Sequence, residues 1–388
     1  MKDNECESRS RRSMEMRLEK TLNAKLKNLG IPSGCIGKPN FEFGFEMGAS
    51  PICIQCKATV PIVFFIKNGQ PAEDINRERE NTRLMKNKDP EHFVTPITIP
   101  PEEDGLFVAE FFEGERFHSV ILNEGLSEEL KLDVAEEVYK ALFRLYEANM
   151  KDITVSVHRA HFKRIEGRLN DKINGNSAFS KYKFKSLIIN GFDIPSAYVL
   201  INKAKKYRDQ LEARKATTVL GDSQPDNVLI KLAEEFRFVD LLNLDPEGDY
   251  SVDIGKNRHW LKGYIIIRQI RDESSVDPIS YFKYDENVDK DGRVVINYDL
   301  NSRVPPIASK IYAVFREQLE EFSKRIGDDW WYERMLLGSA RAWIGGIPYH
   351  QSHELAVIML CEGLLELHKC VGQLESKLAA KNSEEVKA

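Results

Sequence analysis

The sequence holds no apolar run of about 18 residues, the length a membrane-crossing helix needs, so no segment reads as a membrane span. Cysteine is scarce, with six in 388 residues (Cys6, Cys35, Cys53, Cys56, Cys361 and Cys370). That is too sparse for a disulfide framework and agrees with a reducing compartment. Arg11-Arg12 is followed by Ser13-Met14-Glu15-Met16-Arg17 where an export signal needs an apolar core, so the chain reads as cytoplasmic. Neither sign of charge dominates. With 56 Lys and Arg against 61 Asp and Glu, the net charge of −5 points to neither nucleic acid nor a membrane surface as a partner. No internal repeat is visible. What is present is an average globular composition: 42% hydrophobic and 30% charged residues, with 23 Gly and 16 Pro, exclude collagen-like and disordered classes.

Two tempting groups carry little. Cys53-Ile-Gln-Cys56 lies in a strand-like stretch, where residues three apart face opposite sides and their sulfurs diverge. His350-Gln-Ser-His353-Glu354 lacks the zinc-protease order and follows Gly345-Gly346 and Pro348, which indicates a loop entering a helix. Asp328-Asp-Trp-Trp-Tyr332 reads equally as a cluster that binds a cationic or sugar-like molecule or as core or interface. Charge is uneven along the chain: residues 151–218 carry 15 Lys and Arg against 6 Asp and Glu. A solvated helical face is the favoured reading of that block over a device that draws anions.

At about 150 residues per domain, this length suggests two to three domains. Residues 1–30 form a charged, helix-prone extension. Residues 31–113 read as a sheet-rich lobe, with strands at Phe41–Met47, Cys53–Thr59 and Ile62–Ile66, a charged helix over Glu73–Lys88, and further strands at Phe93–Ile99 and Leu106–Phe112. Residues 114–373 read as a helical lobe. Its first long helix begins at Ser127, with Leu130, Val134, Val138, Ala141 and Leu145 on one face. Short strands at Thr218–Leu220, Val228–Ile230 and Phe236–Val239 interrupt it, 273–305 reads as looped, and 374–388 as a flexible tail.

The chemistry concentrates in Val219-Leu-Gly-Asp-Ser-Gln-Pro-Asp-Asn-Val-Leu-Ile230 and the segment after it. Asp222 follows Gly221 in a tight loop, Asn227 comes five positions later, and Asp240 ends the strand Phe236-Arg-Phe-Val239. An Asp acting as base, with an Asn and a second Asp offering hard oxygens to Mg²⁺, is what phosphoryl transfer from ATP requires.

This pattern resembles the aminoglycoside phosphotransferase, choline kinase and fructosamine kinase group of small-molecule kinases. The resemblance covers roughly residues 35–260. It implies an α+β, protein-kinase-like bilobal fold, a small antiparallel-sheet lobe and a larger helical lobe around one nucleotide cleft. It further implies ATP and Mg²⁺ as cofactors and a small-molecule hydroxyl acceptor as partner. Residue by residue, Asp222 matches the catalytic base, and Asn227 and Asp240 match the metal ligands. Asp253 matches the brace of the catalytic loop, with Asp249 beside it. Lys67 in Phe65-Ile-Lys67 matches the lysine that holds the phosphates, and Glu80, in preference to Glu78, its helical partner. Ser50 in Gly48-Ala-Ser50 matches the turn over the phosphates. Glu110 and Phe112, in Val108-Ala-Glu-Phe-Phe-Glu-Gly114, match the strand that contacts adenine. Two features depart from the group: Leu220 stands where a His is usual, and the glycine-rich phosphate loop is absent. The alternatives are a nucleotide-binding regulatory protein without transfer, and a kinase of protein substrates. The latter is disfavoured because no His-Arg-Asp or Ala-Pro-Glu segment occurs.

Overall fold

The computed structural model describes residues 49–54, 62–67, 71–96, 107–110, 112–170, 182–232, 235–272, 276–350 and 352–385. The extension at 1–30 and the strand expected at Phe41–Met47 lie outside the described residues. The chain divides into two compact units. Unit 1 takes Met1–Gly114 with Arg237–Asn243, and unit 2 takes Glu115–Phe236 with Leu244–Ala388.

In unit 1, β1 (Ala49–Ile54), β2 (Ile62–Lys67) and β3 (Phe107–Glu110) form an antiparallel sheet in the order β1-β2-β3. Ala49 pairs with Lys67, and Phe65 with Ala109. β2 reads Ile-Val-Phe-Phe-Ile-Lys, the β-branched and aromatic run that suits a pleated surface. β1 starts before the expected Cys53 and includes Pro51, which an end strand tolerates because it demands fewer backbone donors. Helix α1 (Ala72–Lys88) has Glu73 and Asp74 in its first turn and Lys86 and Lys88 in its last, matching the helix dipole. It buries Ile75, Glu78, Thr82 and Met85, a spacing of three and four that marks one face. The strand expected at Phe93–Ile99 reduces, within the described residues, to single bridges from Phe93 to Phe238 and from Pro96 to Ala109.

Unit 2 is mainly helical. It contains α2 (Phe117–Leu122), α3 (Glu128–Ala148), α4 (Lys163–Leu169), α5 (Ala197–Lys205), α6 (Ser251–His259), α7 (Ile265–Asp272), α8 (Pro306–Ile326), α9 (Trp331–Gly346) and α10 (His353–Glu385). Ser127 caps α3 by accepting from Leu130 N at 3.2 Å, and Val134, Val138, Ala141 and Leu145 are buried. Phe143 of α3 stacks on Phe315 and Phe322 of α8. Within the described residues, no helix is long and apolar enough to cross a membrane.

Two expectations are corrected. The region 273–305 is not loop throughout, because strands β11 (Asp285–Val288) and β12 (Val294–Asn297) lie within it. These join β5 (Leu187–Ile189) and β6 (Phe192–Ile194) in a sheet of order β11-β12-β5-β6. The tail at 374–388 is not separate either: α10 continues to Glu385, with Leu374 fully buried. The chain is thus α+β, with an antiparallel sheet and one helix described in unit 1 and a largely helical unit 2.

Candidate active site

Strand β7 (Thr217–Val219) leads into Leu220-Gly221-Asp222. A 3₁₀ turn at Pro225–Asn227 follows and feeds β8 (Val228–Leu232). Gly221 has φ +80°, a left-handed conformation that glycine adopts without the Cβ penalty. The bend aims two successive N–H groups at one carboxylate. Leu220 N and Gly221 N each donate to Asp253 at 2.8 Å, and the Tyr146 hydroxyl donates to it at 2.9 Å. Asp253 is fully buried on α6. Burial pushes its carboxyl up to about 6 against the downward pull of Tyr146, Leu220 and Gly221.

The same helix face reaches the loop twice more. Lys256 Nζ stands 3.1 Å from Asp222 Oδ1, an ion pair rather than an aligned hydrogen bond. Asn257 Nδ2 donates to Ser223 O at 3.1 Å, to Ser223 Oγ at 3.0 Å and to Asp253 O at 3.1 Å. Asp253, Lys256 and Asn257 are spaced i, i+3, i+4, so one face of α6 carries three grips on residues 220–223. Lys256 and Asn257 are the site residues that the sequence reading missed, and that spacing was the signal that could have found them.

Asn227 Nδ2 donates to Asp222 O at 2.8 Å, which commits the amide nitrogen and leaves Oδ1 as its acceptor atom. Asp226, next to it, is buried, with Oδ1 2.7 Å from His118 Nδ1 and Oδ2 3.0 Å from Arg268. Burial raises its pKa, but His118 and Arg268 outweigh this and hold it below the ordinary carboxylate value. The 3₁₀ turn is therefore pinned from the side opposite Asn227's bond to the loop.

Asp249 does not touch the Gly-Asp loop. Its carboxylate pairs with Arg334 of α9, accepts from Ser251 N at 2.8 Å, and has His161 Nε2 at 3.5 Å. It ties the start of α6 to α9, and so acts on the loop through the helix that carries Asp253. Burial works against ionisation, yet Arg334 and His161 hold it well below the usual carboxylate range. Arg334 and Tyr250 also share Asp328, and Lys377 and Lys381 lie over the Trp330 ring at 4.5 and 5.0 Å. The acidic and aromatic cluster at 328–332 is thereby engaged in packing.

In unit 1, Asp240 follows β9 (Glu235–Phe238) with φ +61°, a left-handed conformation uncommon outside glycine. Asn81 Nδ2 of α1 donates to Leu241 O at 2.7 Å and fixes the turn beyond it. Glu78 is the buried glutamate of α1, at 2% exposure, whereas Glu80 is exposed and pairs with Arg83 at 2.6 Å. This reverses the preference for Glu80, because the apolar face of α1 runs through Ile75, Glu78 and Thr82. Lys67 closes β2 opposite Ala49 and Phe107; its side chain lies outside the described residues. Ser50 sits within β1, paired with Ile66, rather than in a turn, and its side chain likewise is not described. The Glu110 side chain is 3.8 Å from Lys86, and Arg237 covers the buried Phe112 ring at 4.8 Å. These two side chains are held by contacts within unit 1.

Among the described residues no group of three His, Cys, Asp or Glu forms a metal cluster. A nucleotide-bound Mg²⁺ takes only one or two protein carboxylates or amides beside its waters and phosphates. The Asn227 Oδ1 and the Asp240 carboxylate are hard oxygen donors of the kind that fits it.

No protein-family model matches the chain, and no curated protein matches it. Among solved structures it is similar to a Ralstonia eutropha protein provisionally described as an aminoglycoside phosphotransferase, at 12% identity and TM-score 0.49, covering 90% of this chain and 98% of that one. It is also similar to the choline kinase LicA of Streptococcus pneumoniae, at 11% identity and TM-score 0.46, covering 90% and 99%. A third is APH(2")-IIa in its ternary complex with streptomycin and ATP, at 13% identity and TM-score 0.44, covering 90% and 95%. These are what the chain is similar to; its site is described by the hydrogen bonds and ion pairs above.

Proposed function

We propose that the protein is an ATP-dependent phosphotransferase acting on a hydroxyl of a small molecule. The observation that carries this reading is the Gly221-Asp222 loop, held by two N–H donors on buried Asp253 and tied to Asn227 by its amide. Such a constellation presents a carboxylate and an amide oxygen in fixed relation, the preorganisation that phosphoryl transfer uses. That the similar solved structures include a choline kinase and a streptomycin–ATP complex agrees with it.

Asp222 accepts the proton of the acceptor hydroxyl as its oxygen forms a bond to the γ-phosphorus, and the bond from that phosphorus to the β,γ-bridging oxygen breaks to release ADP. A positioned base of this kind contributes about 10² to 10⁴ in rate. Lys256, at 3.1 Å, pairs with Asp222 and keeps it aimed. Asn227 and Asp240 would hold Mg²⁺, which would neutralise phosphate charge. In unit 1, Lys67 holds the α- and β-phosphates with Glu78 as its partner. The backbone of Glu110 and of Phe112 receives the adenine.

The test is ADP release with Mg-ATP across pooled hydroxyl compounds, with thermal shift by Mg-ATP measured alongside. Turnover should collapse in Asp222→Ala and in Asp240→Ala. Unaltered turnover in both purified variants overturns the reading, and a thermal shift without turnover on any acceptor points to a nucleotide-binding protein instead.

A further inference from the structure

Near Asp222 in unit 2 the carboxylates are each engaged, whereas two arginines lack an acid partner among the described residues. Asp222 faces Lys256, Asp249 faces Arg334, and Asp253 takes three donors. Arg341 of α9 lies in the field of these three carboxylates, yet it has no ion pair with any of them, and its Nε is buried without an acceptor. The close approach of two helices sets its place. Gly255 of α6 and Gly338 of α9 meet backbone to backbone: a Cβ on Gly338 would overlap Ser251 O, and one on Gly255 would overlap the Gly338 carbonyl carbon. Lys256 follows the first glycine, and Arg341 stands one turn beyond the second.

A second arginine stands beside it. One further turn along α9, Gly345 leaves room for Arg164 of α4, whose Nε would lie 3.0 Å from a Cβ there. Positions 341 and 345 are i and i+4 on one face, so the glycine brings the Arg164 side chain to the turn that Arg341 occupies. Among the described residues Arg164, like Arg341, has no carboxylate within ion-pair distance. Burial, and then the neighbouring Arg164 charge, lower the Arg341 pKa to about 10. Two adjacent guanidinium groups without an acid are unfavourable in isolation, and their planar donors match the two oxygens of a carboxylate or phosphate.

We propose that Arg164 and Arg341 bind the oxyanion of an acidic acceptor, a hydroxyl compound that also carries a carboxylate or a phosphate. This rests on the phosphotransferase reading for what becomes of the hydroxyl, but not for the binding itself. It sets the acceptor apart from cations such as choline and streptomycin.

The test is calorimetric titration of the full chain, without nucleotide, using D-gluconate, glycerol 3-phosphate, choline and kanamycin. At least one of the two anions binds more tightly than either cation, and which one binds separates carboxylate from phosphate. Arg341→Gln and Arg164→Gln each weaken that binding about tenfold or more, as the loss of a charge-assisted bond requires, while Arg341→Lys weakens it less. Tighter binding of choline or kanamycin, no heat with either anion, or anion binding unchanged in both Gln variants overturns the proposal. Because the readout needs no ATP, anion binding by a protein that transfers phosphate to no acceptor would sink the kinase reading and leave this site standing.

Discussion

Asp253 is the residue on which the loop hangs, and its energetics are open to direct test. Its carboxyl sits at about 6, above an unfolded value near 3.8, because burial disfavours the charge more than its hydrogen bonds favour it. A raised value means that the folded state holds the proton more tightly than the unfolded one. Its contribution to stability is therefore fully present below the unfolded value and is lost as pH rises through about 6. Denaturant unfolding of the wild type against Asp253→Asn, which cannot titrate, should show the difference falling by on the order of 3 kcal/mol between about pH 3.5 and 7. A pH-independent difference would show that burial does not control this group. Glu78 and Glu80 offer a second residue-level contrast. Buried Glu78→Gln should lower kcat/KM for ATP about tenfold or more, as expected when a buried charge loses its match, whereas exposed Glu80→Gln should change it little. Equal effects would remove the assignment of Glu78. Sequence could place both on one helix, but the choice depended on which face turned inward, and Ile75, Thr82 and Met85 already indicated Glu78.

At the scale of elements, α6 is the organising piece, and its seat against α9 is set by the absence of two side chains. A Cβ at Gly338 has nowhere to go but into the Ser251 carbonyl, so the helices must part to admit it. Gly338→Ala is expected to destabilise the protein by about 1–3 kcal/mol and to lower turnover as well, because α6 carries Asp253, Lys256 and Asn257. A fully stable, fully active Gly338→Ala would contradict the packing. The strands β7, β8 and β9 were legible because short β-branched and aromatic runs there are bounded by Gly, Pro and Asp. The β5–β6 hairpin was not read, although Asn190-Gly191 is a strong turn signal and both residues take positive φ. Its partner strand β12 lies about a hundred residues further on, beyond the reach of any local pattern.

Across the whole molecule, part of the basic block at 151–218 is matched by acids, some from beyond it and some from within it. Lys151 pairs with Glu247, Arg159 with Asp245, Lys203 with Glu375 and Lys205 with Glu166. These are surface pairs, each of small energetic worth. Arg164, in that block, is set apart from Arg341 by 177 positions in sequence, and the approach of its side chain to Gly345, one turn beyond Arg341 on α9, brings them together. The Gly221-Asp222 loop was readable because Gly221, Asp222 and Asn227 are near neighbours in sequence; Arg164 and Arg341 were not.

The measurement that bears most directly on the central claim is transfer of the labelled γ-phosphate of ATP to a hydroxyl acceptor by the wild type and by Asp222→Asn, each checked for thermal stabilisation by Mg-ATP. Wild-type protein should give a labelled acceptor and ADP in equal amounts, and Asp222→Asn should lose about 10² or more of that rate while still being stabilised by Mg-ATP. Equal transfer by the two proteins would contradict the assignment of Asp222 as the base, and with it the reading of the site.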